Sequence, residues 1–294
     1  MPWEWRDYYR LRSIIYPSYL SLPLWFLKIF GLDYGYLVRI APNFAHILLV
    51  IISDSYLWKI GKLTVGKNAS RFAFYILFFA RIYNELIIRT FSNSVETIFQ
   101  VIAFYYFLKV SNKFDKNIVI LTLLLTISFM IRSTSPIGWP PLILIKMLKD
   151  RSWFPFLYAF VLVFIPVVFL IVATDSYYYG EFPVITSINF MRVNVSEGLS
   201  KYFGKDPFEF YFIRTLPQFF TVAIPAVYFG YYSYLKDKLT ISKDQVPYLA
   251  ILSLSYILIF SLIAHKEDRF MLPIIPFSAM LAAYAFITWT KALI

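Results

Sequence analysis

A chain of 294 residues that is 60% hydrophobic, with a mean hydropathy of +0.64, lacks the interior volume to hide its apolar side chains from water. This excludes a soluble globule and points to a polytopic membrane protein. Lys and Arg number 28 against 17 Asp and Glu, a formal net charge of +11, but the cations fall in short connections between apolar runs, which reads as membrane orientation and not as a nucleic-acid surface. The absence of cysteine excludes disulfides and thiolate metal sites, and His46 and His265 are too few for a histidine-rich metal centre.

The first residues (MPWEWRDYYRLR) are charged and aromatic, so they do not form the apolar core of a cleavable signal peptide. Residues 13–30 are apolar but short and interrupted by Pro17 and Pro23, which predicts an interfacial or re-entrant segment. Residues 39–58 make the first convincing span, with His46 expected to be a packed histidine bonded to a neighbouring helix. Lys59, Lys62, Lys67 and Arg71 then mark the cytosolic side. In the run from 72 to 88, Arg81 and Glu85 are four apart and are predicted to neutralise each other inside the bundle.

Arg89-Thr90-Phe91-Ser92-Asn93-Ser94 forms a polar turn on the opposite side, with Asn93 or Ser94 placed to cap a helix starting near Val95 and Glu96 favourable in its first turn. Residues 95–108 and 117–131 span between this side and the Lys109, Lys113 and Lys116 cluster. Arg132, followed by hydroxyl side chains, can either meet a phosphate or snorkel to headgroups. Pro140 and Pro141 predict a broken crossing over 137–148, since Lys146, Lys149 and Arg151 demand a return to the cytosol.

Residues 153–173 form a long span, and 174–212 form the largest polar segment, a loop rich in Tyr and Phe that includes Asp175, Tyr177, Glu181, Arg192, Lys201, Asp206 and Glu209. Aromatic faces beside polar side chains suit a glycan and also suit a membrane interface. Residues 213–235 return to Lys236, Lys238 and Lys243. Two uncharged runs, 247–264 and 270–290, close the chain and bracket His265-Lys266-Glu267-Asp268-Arg269-Phe270. An imidazole, an ammonium and a guanidinium in so short a block, with two carboxylates among them, suit a phosphate held at the water-lipid boundary, although a solvated hairpin has the same composition. Counting alternation back from the basic loops puts the 174–212 loop, Ser92, Arg132 and His265 on one face.

The block His-Lys-Glu-Asp-Arg-Phe resembles the signature of the dolichyl-phosphate-mannose-dependent mannosyltransferases of the endoplasmic reticulum (glycosyltransferase family 22), a group that includes the glycosylphosphatidylinositol (GPI) mannosyltransferases. Other blocks resemble the same family in order: Trp3-Glu4-Trp5 with Arg12-Ser13 and Tyr16-Pro17, Arg89 to Thr97, Asp175 to Gly180, Asn189-Phe190 through Asn194-Val195, Tyr202-Phe203-Gly204, and Leu216-Pro217. The resemblance covers nearly the whole chain. It implies an all-α, GT-C-like bundle of about nine transmembrane helices with a lumenal loop region, a multi-pass protein of the endoplasmic reticulum membrane forming one mannosyltransferase domain over residues 1–294.

The implied reaction transfers mannose from dolichyl-phosphate-mannose to a GPI glycolipid, as the third, α1,2-linked mannose, with no cofactor or metal. Inversion at the sugar carbon needs a carboxylate to take the acceptor proton and cations to stabilise the departing lipid phosphate. His265, Lys266 and Arg269 are assigned to the phosphate and Glu267 to orienting them. Arg132 is auxiliary, Arg89 and Glu96 are further candidates, and the segment from Asp175 and Tyr177 to Tyr211 is the expected acceptor surface. Members of the family carry an acidic block ahead of the Trp-Glu-Trp region that has no counterpart here, so the base is left unassigned and the chain is expected to be N-terminally incomplete. Two alternatives remain: a sibling enzyme acting on the fourth GPI mannose or the N-glycan precursor, and a transporter or inactive relative. A repeated hydropathy pattern in the two halves, which would mark a transporter, is absent.

Overall fold

The computed structural model describes residues 3–198, 202, 204–241 and 245–292, and within them every regular element is helical. Lys201, Phe203 and Lys243, named above, lie outside the described residues. In chain order the main helices are α1 (Ile15–Ile29), α2 (Gly35–Thr64), α3 (Lys67–Phe79), α4 (Arg81–Ile87), α5 (Ser92–Lys109) and α6 (Lys116–Ile131). They continue with α7 (Trp139–Lys149), α8 (Trp153–Tyr179), α9 (Thr186–Met191), α10 (Tyr211–Thr240), α11 (Tyr248–Leu262) and α12 (Ile275–Ala292).

Local chemistry sets the helix ends. Asp115 caps α6 by accepting from the backbone N–H groups of Asn117 and Ile118. Pro140 and Pro141 stand in the first turn of α7, where a missing N–H costs nothing, after a 3-10 turn at Ser135–Gly138; this is the broken crossing the prolines predict. The helix α8 ends at Gly180, whose φ of 70° is the left-handed cap conformation. Wide π turns at Phe160–Phe164 and Tyr211–Thr215 come just before Pro166 and Pro217, which lack the N–H needed to continue an α ladder.

Four helices among the described residues are long and apolar enough to cross a membrane: Gly35–Thr64, Trp153–Tyr179, Tyr211–Thr240 and Asp268–Thr290. Lys116–Ile131 and Tyr248–Leu262 are shorter apolar helices. Burial ranks the four. The last is 78% buried and forms the centre of the bundle, whereas Gly35–Thr64 and Trp153–Tyr179 are 11% and 17% buried and turn apolar faces outward, as lipid-facing helices do. The central helix α12 packs against α10 and α3. Gly230 permits the first contact, since a Cβ there would collide with the backbone of Leu281.

Three local expectations are corrected. The run from 72 to 88 is not one helix, because Ala80 leaves helical geometry with ψ of 78° and separates α3 from α4. Glu85 pairs with Arg89 and not with Arg81, and both Arg81 and Glu85 are exposed rather than inside the bundle. Helix α5 begins at Ser92, and its N-cap, Phe91, makes no side-chain cap bond. Asn93 and Ser94 instead use their side chains on other segments: Asn93 Nδ2 donates to the Arg269 carbonyl at 3.2 Å, and Ser94 Oγ to the Leu86 carbonyl at 2.8 Å. His46 agrees with its expected role, bonded through its two ring nitrogens to the Tyr16 hydroxyl at 3.0 Å and the Ile87 carbonyl at 2.9 Å.

Candidate functional site

The block 265–270 leaves α11 as extended chain, turns through a 3-10 helix at Asp268–Ile274 and enters α12. That 3-10 turn lies on α5, so the start of α5 and the charged block are neighbours although 170 or so residues separate them in the chain. Asn93 in the first turn of α5 holds the Arg269 carbonyl, and Thr215 Oγ1 at the entry to α10 donates to Asp268 Oδ1 at 2.6 Å.

Glu267 is the hub of the block. Its carboxylate takes His265 Nε2 on one oxygen at 3.1 Å and Arg269 Nε on the other. Burial alone would push its carboxyl up, but the hydrogen bonds and charges of Arg269 and His265 outweigh that and hold it below the usual value. The Arg269 side chain is 44% exposed and its guanidinium lies 5.9 Å from the Phe91 ring. Arg89 stands 5.8 Å from the same ring and is 50% exposed, paired with Glu85. Two accessible guanidiniums therefore gather about one phenyl ring, and planar donors so placed are able to take an oxyanion. Lys266 faces inward, its ammonium donating to the carbonyls of Asp206 at 3.0 Å and Ile263 at 2.6 Å. In this geometry it ties the 206 segment to the block.

Arg132 and Glu96 make a second, interior cluster. Their ion pair is 2.7 Å long and its side chains are 9% and 0% exposed. The Tyr256 hydroxyl donates to the other Glu96 oxygen, and the Arg132 guanidinium lies 5.1 Å from the Phe270 ring. One helical turn further along α5, Gln100 donates to the Ser135 carbonyl at 2.6 Å and accepts from Trp139 Nε1. Ser135, three residues after Arg132, is thus locked to α5.

Asp175 is fully buried at the end of α8, which stays helical through Tyr179, and there it accepts from Ser13 Oγ and the Ile14 N–H, each at 2.9 Å. The Tyr179 hydroxyl donates to the Arg12 carbonyl at 2.8 Å, and Trp5 packs on Tyr178 and Tyr179. Tyr177 points away and is 91% exposed. The N-terminal block and the Asp175 block thus form one unit.

A cleft of about 490 Å³ joins this unit to the start of α5. Glu4, Trp5, Arg12 and Ser13 line one side, and Thr90, Phe91 and Ser92 the other. Phe91 is the shared element: it walls the cleft and carries the two exposed guanidiniums. Sequence reasoning did not single out Phe91 or Tyr256, and no local spacing marks them, because their roles come from contacts across long stretches of chain. No group of three or more His, Cys, Asp or Glu among the described residues is arranged to hold a metal ion.

Residues 1–294 match the model of the Alg9-like mannosyltransferase family. GPI mannosyltransferase 3 of Yarrowia lipolytica is 30% identical over 298 residues, covering 100% of this chain and 55% of that protein. GPI alpha-1,2-mannosyltransferase 3 of Homo sapiens is 26% identical over 295 residues, covering 99% of this chain and 51% of that protein. The chain spans about half the length of these curated relatives. Among solved structures, the crystal structure of ArnT from Cupriavidus metallidurans bound to undecaprenyl phosphate superposes with a TM-score of 0.67 at 14% identity, over 97% of this chain and 52% of that one. That likeness is one of fold.

Proposed function

The chain belongs to the Alg9-like mannosyltransferase family, and from that premise we propose that it transfers mannose from dolichyl-phosphate-mannose to a GPI-anchor precursor in the endoplasmic reticulum membrane. The product is the third, α1,2-linked mannose of the anchor. About nine crossings, with the charged block and residues 174–212 on the lumenal side, belong to the same reading. The observation that carries it is the pair of accessible guanidiniums, Arg269 and Arg89, about Phe91 at the wall of a cleft whose other side is lined by Glu4, Trp5, Arg12 and Ser13.

In this reading the bond between the sugar's anomeric carbon and the phosphate oxygen breaks, and its electron pair leaves with the lipid phosphate. Arg269, with His265 bonded to the same carboxylate and Arg89 near the same phenyl ring, meets the charge that develops on that phosphate. Glu267 fixes the Arg269 guanidinium and the His265 imidazole by dividing its oxygens between them. Arg132 supports the site indirectly: paired with Glu96, it lies 5.1 Å from the Phe270 ring beside Arg269 and steadies that turn. The acceptor hydroxyl approaches from the side of the cleft lined by Glu4, Trp5, Arg12 and Ser13, and its proton passes to a carboxylate.

Arg269→Ala tests the assignment. Removing a donor that acts on developing charge lowers transfer by about 10²–10³-fold, while an exposed side chain leaves membrane insertion unchanged. Mannose transfer in microsomes from cells expressing the variant reads the effect, and activity within twofold of wild type would remove Arg269 from the phosphate site.

A further inference from the structure

The cleft beside Phe91 is lined by two unlike materials. Part of its lining is apolar, with Leu20 and Leu24 of α1, Pro42 of α2 and Ile131 of α6. The rest includes hydroxyl side chains such as Thr90 and Ser92, the Trp5 ring, and one ion pair. That pair is a planar fork: Arg12 Nε reaches Glu4 Oε2 at 3.1 Å and Arg12 NH2 reaches Glu4 Oε1 at 2.8 Å. Glu4 and Arg12 are the only charged groups on these walls among the described residues, so the lining is formally neutral.

A volume near 490 Å³ lies within the ~300–1,000 Å³ of ordinary small-ligand sites. A neutral lining with a carboxylate, a guanidinium and an indole does not favour a phosphate, which gains most from unneutralised cations. It favours a neutral head rich in hydroxyls. Adjacent hydroxyls can give to the outer lone pairs of a carboxylate and take from the spare N–H groups of an arginine in the same plane, and an indole face covers the C–H side of a pyranose. The fork is half-buried, with side chains 24% and 30% exposed, and it needs no rearrangement to present those groups. The apolar part of the lining suits a lipid chain attached to such a head.

We infer that this cleft binds the terminal hexose of a glycolipid acceptor, with the Glu4–Arg12 fork reading two neighbouring hydroxyls, Trp5 forming the platform, and the lipid chain lying along α1 toward Pro42. The inference rests on the mannosyltransferase reading for its identification of the ligand as the acceptor. It adds a specificity site to the phosphate site, separated from it by the Phe91 ring.

The test uses the full chain in lipid nanodiscs, with two readouts. In the transfer assay, Glu4→Gln and Arg12→Lys each raise the acceptor KM about tenfold, the loss expected for one hydrogen bond to a charged group, and leave the donor KM unchanged. In saturation-transfer NMR with a soluble α-linked dimannoside as probe, wild type and Trp5→Phe give a signal and Trp5→Ala gives none. Arg12→Lys keeps the charge pair and so reports on the fork even if Trp5→Ala fails to fold. An unchanged acceptor KM in both fork variants, or a change confined to the donor KM, overturns the site. If wild type binds the dimannoside in a Trp5-dependent manner but transfers no mannose, the hexose site stands and the mannosyltransferase reading falls. Absence of both binding and transfer removes the site as well.

Discussion

Arg132 and Arg269 each lie against a glutamate and each lie near an aromatic ring, yet their surroundings are opposite. Arg132 is 9% exposed and its partner Glu96 is 0% exposed, with Tyr256 closing the remaining carboxylate oxygen. Arg269 is 44% exposed, its partner Glu267 is 30% exposed, and the guanidinium stands at an open ring. The same two residue types therefore do different work. A buried pair whose lone pairs are filled from within holds helices α5, α6 and α11 in register. An accessible pair whose carboxylate also fixes His265 leaves the Arg269 guanidinium open to a ligand, the role proposed for it. On that reading burial, and not residue type, separates the structural arginine from the binding one.

The largest expected effect comes from breaking the interior pair. Arg132→Ala leaves the Glu96 charge buried and alone, which costs about 3–5 kcal/mol, and thermal unfolding in detergent should show a Tm drop of many degrees. A Tm within a degree or two of wild type would contradict the account of Arg132 as part of the core.

The accessible pair is sharpened by pH. Because the Glu267 carboxyl titrates below its ordinary value of 4.5 in the folded protein, its ion pairs contribute fully above that value and are lost as pH falls through the depressed one. Donor binding should therefore persist as pH is lowered to the ordinary carboxylate range and fail only below it. Glu267→Gln removes this acidic limb; a limb retained in the variant would assign it to another group.

A smaller effect tests the closure of the interior cluster. Tyr256→Phe removes one donor to Glu96 and should cost about 1–3 kcal/mol, again read as Tm, with donor KM unchanged. Smaller still is the stability change of Arg269→Ala. An exposed ion pair is worth under ~1 kcal/mol, so Tm stays near wild type while transfer falls. A large loss of stability there would merge the two clusters into one structural unit.

Much of the fold was legible from the apolar runs, since 39–58, 153–173 and 270–290 sit inside the spans found at Gly35–Thr64, Trp153–Tyr179 and Asp268–Thr290. Helix breaks were legible where proline forced them, as at Pro140, and not where ordinary residues carry them, as at Ala80. The block at 265–270 was readable because its charge stands out between two apolar runs. The partner of Arg132 was not. Glu96 precedes it by 36 residues and looks like a favourable first-turn acid; only the start of α5 at Ser92 turns it toward Arg132 and Tyr256. Spacing paired Glu85 with Arg81, four residues before it, and overlooked Arg89, which stands equally far after it and is the partner observed. Lys266 gave no sign in the sequence that its ammonium would turn inward to backbone carbonyls.

The central claim is that the charged block, the start of α5 and the end of α8 share one side of the membrane. A natural chain with no cysteine allows a direct measurement, in which single cysteines are labelled by a membrane-impermeant maleimide in sealed, right-side-out microsomes. Arg89→Cys and Tyr177→Cys, both at exposed positions, should stay unlabelled until detergent is added, and Lys113→Cys should label at once. Labelling of Arg89→Cys and Tyr177→Cys from opposite sides would contradict the account.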